Sequence, residues 1–319
     1  MTKLARPAAD RPTTKRKSLW GRIKRQKFVL AMMLPSLVLT FIFFYLPLSG
    51  WVIAFSEYKL GGPLFGNAWV GLKQFKRFLF DSSDFSYLLQ NTLVINVSVI
   101  FVNIAVAGVF SIVLNDMRRK RMAKTVQTIA FFPYFISWVI AYALVWALFA
   151  VRSGSINQFL VGAGAIPSGF NILGDPKYSW GLMIVLSIWK YTGYNTVIFL
   201  SAISGIPHEE YEAAAIDGAG RFRRMYYVTF KNMLPSAAIL LIMNSGWVLN
   251  SNLEQFFVFT NSTNWQRMEV LDMYIYKFGL QSLDYSYATA VGIMKTLVSI
   301  LLVIGVNFSS KKLNGSAIF

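Results

Sequence analysis

Long unbroken apolar runs dominate the chain, and polar residues gather between them. Six runs reach the roughly 20 mostly apolar residues that a helix needs to cross a bilayer. They are Phe28–Leu48, Leu88–Leu114, Thr125–Val151, Ser179–Ser204, Asn232–Asn252 and Tyr285–Ser309, and none contains an aspartate or glutamate. Lipid offers the backbone no hydrogen bonds, so only helices or a closed barrel can span it. Runs this continuous lack the alternation of a barrel strand. The pattern predicts an all-α, polytopic membrane protein with six transmembrane helices.

The rest of the chain divides around these runs. Residues 1–27 form a polar, basic arm. Residues 28–87 hold the first span and a long segment after it, with turn signals at Gly61-Gly62-Pro63 and Trp69-Val70-Gly71. Residues 88–309 hold the other five spans, and the loop 205–231 lies among them. Residues 310–319 are a short tail. The arm is too long and polar for the n-region of a cleaved signal, so the first span is expected to be retained.

Composition agrees. Of 319 residues, 55% are hydrophobic and 14% charged, against about 25% charged in soluble proteins. There is no cysteine and one histidine, His208. A disulfide scaffold, a cysteine nucleophile and a cysteine or multi-histidine metal site are thereby excluded.

The charges set an orientation. With the N-terminus inside, the segments 1–27, 115–124, 205–231 and 310–319 carry 21 Lys/Arg against 6 Asp/Glu. The segments 49–87, 152–178 and 253–284 carry 8 of each. Basic loops stay on the cytoplasmic side, so both termini are expected inside. The net charge of +17 is thus an orientation device with a lipid-headgroup role, not a nucleic-acid footprint.

The loop between the fourth and fifth spans differs from the others. Pro207 suits a helix start, Glu209, Glu210 and Glu212 favour the positive end of its dipole, and Ala213–Ala215 are strong helix formers. Asp217-Gly218 then stops the helix, because Gly218 tolerates a left-handed conformation. Asp217 is expected to cap a second helix that begins near Gly220. Tyr211, Ala214, Ala215 and Gly218 recur at helical spacing, and this thin face suits either a docking partner or the lipid surface.

The run Glu212-Ala213-Ala214, then Asp217-Gly218-Ala219, Phe222 and Leu234-Pro235 resembles the EAA loop of binding-protein-dependent ABC importer permeases. Gly218 falls four residues beyond Ala214, as that pattern requires. NTLVINVSV (91–99), FFPYFISWVI (131–140), NQFL (157–160), IWKYTGYNTVIFLSAISGIP (188–207) and YSYATAVGIMK (285–295) resemble the polysaccharide-type branch of the maltose-transporter-like sugar permeases. The resemblance implies a type I importer subunit in a bacterial inner membrane. Its implied partners are a second permease subunit (a heterodimer), two ABC ATPase subunits, an external solute-binding protein and a saccharide. It makes Glu212, Ala213, Ala214, Asp217, Gly218 and Ala219 the coupling helix gripped by an ATPase. ATP and Mg would sit on those ATPase subunits. This chain is expected to bind no cofactor, since it has no G-x-x-x-x-G-K-[ST] phosphate loop, and to be a transport subunit rather than an enzyme.

Polar residues inside spans need a reason. Lys190 and Lys295 lie deep in the fourth and sixth runs with no acid in any run to pair with. Either they line a cavity and make it positive, which suits a uronate-containing saccharide, or each stabilises a helix junction. Tyr194 and Asn195 cluster near Lys190, and Asn244, Trp247, Asn250 and Ser251 form a polar-aromatic stripe on the fifth run. Aromatic faces with a few placed amides suit sugars, so these eight residues are the candidate pathway. Two other classes compete. A membrane-embedded transferase needs placed acids or histidines, and an ion-coupled transporter half needs an intramembrane acid. No run supplies either.

Overall fold

The computed structural model describes residues 26–314. The predicted basic arm, but for its last two residues, and the end of the tail lie outside them. The regular structure of the described residues is helical apart from one bridge between Ser56 and Trp69. It falls into two units, Met1–Val52 and Ile53–Phe319.

The first helix, α1 (Lys27–Phe55), is apolar on every side and passes through Pro35. No residue of Lys27–Thr40 is buried. A helix apolar all round suits lipid contact.

In the second unit, α2 (Asp84–Asp116) packs along α3 (Pro176–Ser204). On α2, Leu88, Asn91, Thr92, Ile95, Asn103, Ala107, Gly108, Ser111 and Leu114 form one buried stripe. Phe101, Val109 and Val113 are exposed on the other side. That division is what a helix between a core and lipid requires. The fourth run begins earlier than its hydropathy suggested. Asp175 accepts from the Lys177 N–H at 2.9 Å and Pro176 takes the first turn, which caps the helix ahead of the run.

Two expectations of single spans are corrected. The third run is not one helix. It divides into Lys120–Phe135 and Trp138–Phe149, bent by 104°. Pro133 lacks an N–H, Ile136 and Ser137 are extended, and the Ser137 hydroxyl accepts from the Ile140 N–H at 3.3 Å to start the second half. The fifth run is helical over Arg221–Ser245 and then irregular until Leu253–Phe259. Residues 253–284, expected outside, also turn back into the bundle. The helix Leu271–Tyr276 runs beside α4 (Tyr285–Asn314), and its Asp272 meets Lys295, ten residues along α4.

Among the described residues, four helices are long and apolar enough to cross a membrane: Lys27–Phe55, Asp84–Asp116, Arg221–Ser245 and Tyr285–Phe308. The bent pair makes five. The helix α3 has 29 residues and spans about 44 Å at 1.5 Å per residue, but it is more polar.

Candidate functional site

A cavity of about 590 Å³ opens among α2, α3, the bend at Tyr134 and the stretch 244–256. Amides and aromatics line it: Asn96 and Asn103 on α2, Tyr191, Tyr194 and Asn195 on α3, and Asn244, Trp247, Asn250, Ser251, Asn252 and Gln255 beyond them. Ser187 and Tyr134 complete its polar wall. None of the lining residues is charged.

The wall is tied to itself. Asn195 donates to the Asn103 Oδ1 at 2.9 Å, and Gln255 donates to the Ser187 hydroxyl at 3.1 Å and to the Met183 carbonyl at 3.3 Å. Tyr134 and Tyr194 stack with centroids 4.7 Å apart and planes 11° apart. Asn244 and Asn250 each donate one N–H to their own chain, to Leu240 and Gly246. A carboxamide has two N–H groups and a carbonyl, so both retain capacity for a ligand. Trp247 is 65% exposed and presents a broad apolar face.

Six of the eight candidate pathway residues line this cavity: Tyr194, Asn195, Asn244, Trp247, Asn250 and Ser251. Lys190 and Lys295 do not, which corrects the reading of a cavity made positive by them. Lys190 is 7% exposed. Its ammonium donates to the carbonyls of Pro133 (3.4 Å), Tyr134 (3.3 Å) and Ile136, and lies over the Trp138 ring at 5.2 Å. It thus donates to carbonyls at the 104° bend, where the Pro133 carbonyl also accepts from the Ile136 N–H at 3.1 Å. Lys295 pairs with Asp272, an acid that lies outside the six apolar runs. Each ammonium finds its partners within the fold, Lys190 in backbone carbonyls and Lys295 in a carboxylate.

The residues missed from sequence are Asn96, Asn103, Ser187, Tyr134 and Asn252. The signal for two of them was present. Asn96 and Asn103 stand seven apart in a mostly apolar run, on one helix face.

The loop 205–231 forms a separate feature. Its helix, α5 (His208–Ile216), follows Pro207 and carries Glu209 and Glu210 in its first turn. It ends where Gly218 adopts φ +76°. The Gly218 N–H donates to the Ala215 carbonyl at 3.1 Å and the Ala219 N–H to the Ala214 carbonyl at 2.9 Å, the paired closure of a Schellman turn. Glu212, Ala213, Asp217 and Gly218 are exposed, and Ala214 and Ala219 half-buried. Ile216 and Phe222 stand 86% and 82% exposed beside the turn.

Two expectations for the loop change. Asp217 does not cap the next helix: Gly220 is its cap residue and no side chain bonds there. The row Tyr211, Ala214, Ala215, Gly218 is not one free face either. Tyr211 turns inward, its hydroxyl 3.0 Å from that of Thr229. Asn232 donates to Glu210 at 2.5 Å, and Arg221 pairs with Asp116 at the end of α2. These bonds fasten the loop to the bundle at both ends.

Residues 104–315 match the family described as the binding-protein-dependent transport system inner membrane component. This chain belongs to that family. Among its relatives is Protein LplB of Bacillus subtilis (strain 168), 35% identical over 95% of this chain and 94% of the relative. Another is the polygalacturonan/rhamnogalacturonan transport system permease protein YteP of the same organism, 36% identical over 96% and 94%. Among solved structures, a chain of a bacterial alginate ABC transporter in complex with alginate pentasaccharide-bound periplasmic protein aligns with a TM-score of 0.85. The two are 29% identical over 94% of this chain and 99% of that one. A second structure, a bacterial ABC transporter involved in the import of the acidic polysaccharide alginate, gives 0.84 at 30% identity, over 93% and 99%. The chain is thus a transport component of the inner membrane.

Proposed function

We propose that this chain is the permease subunit of an ATP-driven ABC importer that carries an oligo- or polysaccharide through the 590 Å³ cavity. The observation that carries this reading is the chemistry of the wall. Sugars expose C–H faces and hydroxyls. An indole and stacked tyrosines meet the first, and carboxamides meet the second without preference for one anomer or linkage. A few convergent polar groups on an apolar wall are the usual character of a small-molecule site.

The saccharide is acidic. Support comes from the relatives, one of which is named for polygalacturonan/rhamnogalacturonan transport and others of which import alginate. The wall meets uronate carboxylates with amide N–H and phenol O–H donors rather than with ammonium groups. A neutral wall holds an anion loosely, and a pathway must release what it binds.

The chain crosses the membrane six times, with α3 as the span whose polar face lines the cavity, and both termini lie inside. The basic excess of the segments 1–27 and 115–124, 15 Lys/Arg against 2 Asp/Glu, supports this orientation. The importer holds a second permease subunit, two ATPase subunits that carry ATP and Mg, and an external solute-binding protein. Closure of the ATPases pulls on the coupling helix, α5, through Glu212, Ala213, Ala214, Asp217, Gly218 and Ala219. Ile216 and Phe222 supply the apolar grip. Because Tyr211 and Arg221 tie the loop to Thr229 and Asp116, the pull reaches the helix Arg221–Ser245 and α2, two walls of the cavity. ATP then biases an equilibrium between outward- and inward-open packings.

Uptake of labelled oligogalacturonide by cells with and without this chain tests the reading. Uptake that depends on the chain, on the ATPase and on the binding protein supports it. Import of only neutral sugars would refute the acidic cargo.

A further inference from the structure

The stretch 246–252 is the weak point of the cavity wall. The helix Arg221–Ser245 has ended, Leu253–Phe259 has not begun, and four residues between them line the cavity: Trp247, Asn250, Ser251 and Asn252. Irregular backbone at membrane depth persists only where its peptide groups find partners in the protein. Part of this is local, since the Trp247 N–H donates to the Asn244 carbonyl and the Asn250 N–H to the Trp247 carbonyl, both at 2.9 Å. The rest comes from other elements. Asn96 on α2 donates its Nδ2 to the Val248 carbonyl and the Ser251 hydroxyl, both at 2.9 Å. The Ser251 N–H donates to the Asp272 Oδ2 at 2.7 Å.

We propose that Asp272 and Lys295 form a positioning clamp for this stretch, with Asp272 standing in for the helical carbonyl that Ser251 has lost. A helix would offer the Ser251 N–H an acceptor four residues back. At the break, a side chain must supply one. A carboxylate is a strong acceptor, but at this depth it needs a counter-charge. Lys295 supplies it: its ammonium bonds the other oxygen, Oδ1, and its side chain is 11% exposed. The lysine that no apolar run could pair thus balances the acid that holds the wall. Neither residue touches the cargo. Both fix where Trp247, Asn250 and Ser251 stand. The clamp rests on the cavity being the cargo path, but its geometry does not depend on which cargo passes.

The chain has no cysteine, so Asn250→Cys gives this subunit one reporter thiol, read on its own band after the labelled importer is separated into its chains. Its labelling by a water-soluble maleimide reads the position of the stretch without any cargo. Uptake of oligogalacturonide reads function. Asp272→Asn and Lys295→Met alone each leave one charge unpaired and should lower uptake about tenfold or more. The double change Asp272→Asn/Lys295→Met removes both charges and keeps an amide oxygen for the Ser251 N–H, so labelling and uptake should return to within about threefold of the parent. Asp272→Ala/Lys295→Met also removes both charges but offers no acceptor. It should label the thiol at a changed rate and stay inactive. Equal labelling rates in the two double variants would overturn the proposal, whatever the uptake. So would full activity of Asp272→Ala/Lys295→Met. If the labelling pattern holds but no variant, nor the parent, takes up oligogalacturonide, the clamp stands and the cargo assignment falls.

Discussion

The ammonium of Lys190 lies 3.3 Å from the carbonyl oxygen of Tyr134, the residue whose ring stacks on Tyr194 in the cavity wall. One turn of backbone thus joins a buried cation to an aromatic shelf. Lys190→Met leaves the carbonyls of Pro133, Tyr134 and Ile136 without their shared donor, at a cost of about 3 kcal/mol or more. The expected outcome is a lower melting temperature of the purified importer and equal loss of transport for acidic and neutral saccharides. A variant that loses only the acidic cargo would instead make Lys190 a cargo contact.

One turn further along α3, the backbone of Gly193 lies against that of the helix Lys120–Phe135. A Cβ at this position would overlap the carbonyl of Ala130, and backbone cannot swing aside as a side chain can. Gly193→Ala should therefore cost about 3 kcal/mol or more and abolish assembly. Gly181→Ala, on the same helix with nothing within 4 Å of its Cβ, should leave stability unchanged or raised by about 0.5–1 kcal/mol. Yield and thermal stability of the two purified variants decide the matter.

At the coupling loop, Gly218 sits at φ +76° and donates to the Ala215 carbonyl at 3.1 Å. Proline satisfies neither condition, because its φ is fixed near −65° and it has no N–H. Gly218→Pro should break the link between the ATPases and the cavity: ATP hydrolysis loses its stimulation by loaded binding protein, and uptake stops. Gly218→Asn should keep most of both, since asparagine tolerates the left-handed region.

In the cavity, Trp247→Ala removes the broadest apolar face and should raise the half-saturating cargo concentration in the reconstituted importer about tenfold, near 1.4 kcal/mol. Asn103→Leu removes the acceptor of the Asn195 amide and should lower the maximal rate more than the affinity. Uptake measured across cargo concentrations separates the two.

Much of this was legible in the chain. The helix His208–Ile216 and its stop at Gly218 followed from Pro207, the glutamates and Gly218, because a helix end is a local decision. The stripe Asn244, Trp247, Asn250 and Ser251 followed from helical spacing, and that spacing holds although the helix itself stops at Ser245. The partners of Lys190 and Lys295 were hidden for one reason in both cases. A buried ammonium chooses among carbonyls and carboxylates brought near by folding, and neither Ile136 nor Asp272 advertises itself along the chain. The bend after Pro133 was hidden because periodicity reports which residues are apolar, not where peptide groups find partners. Asn96 and Asn103 passed unnoticed because a lone amide in an apolar run looks alike whether it holds a helix or faces a cavity.

The most direct test of transport through the cavity blocks it. Asn244→Cys places a single thiol in the wall of a chain that has none. In proteoliposomes holding the complete importer, uptake of labelled oligogalacturonide is measured before and after reaction of that thiol with a bulky maleimide. The account predicts that the modified importer loses uptake while the parent that keeps Asn244, treated alike, retains it. Undiminished uptake through a fully modified importer would contradict it.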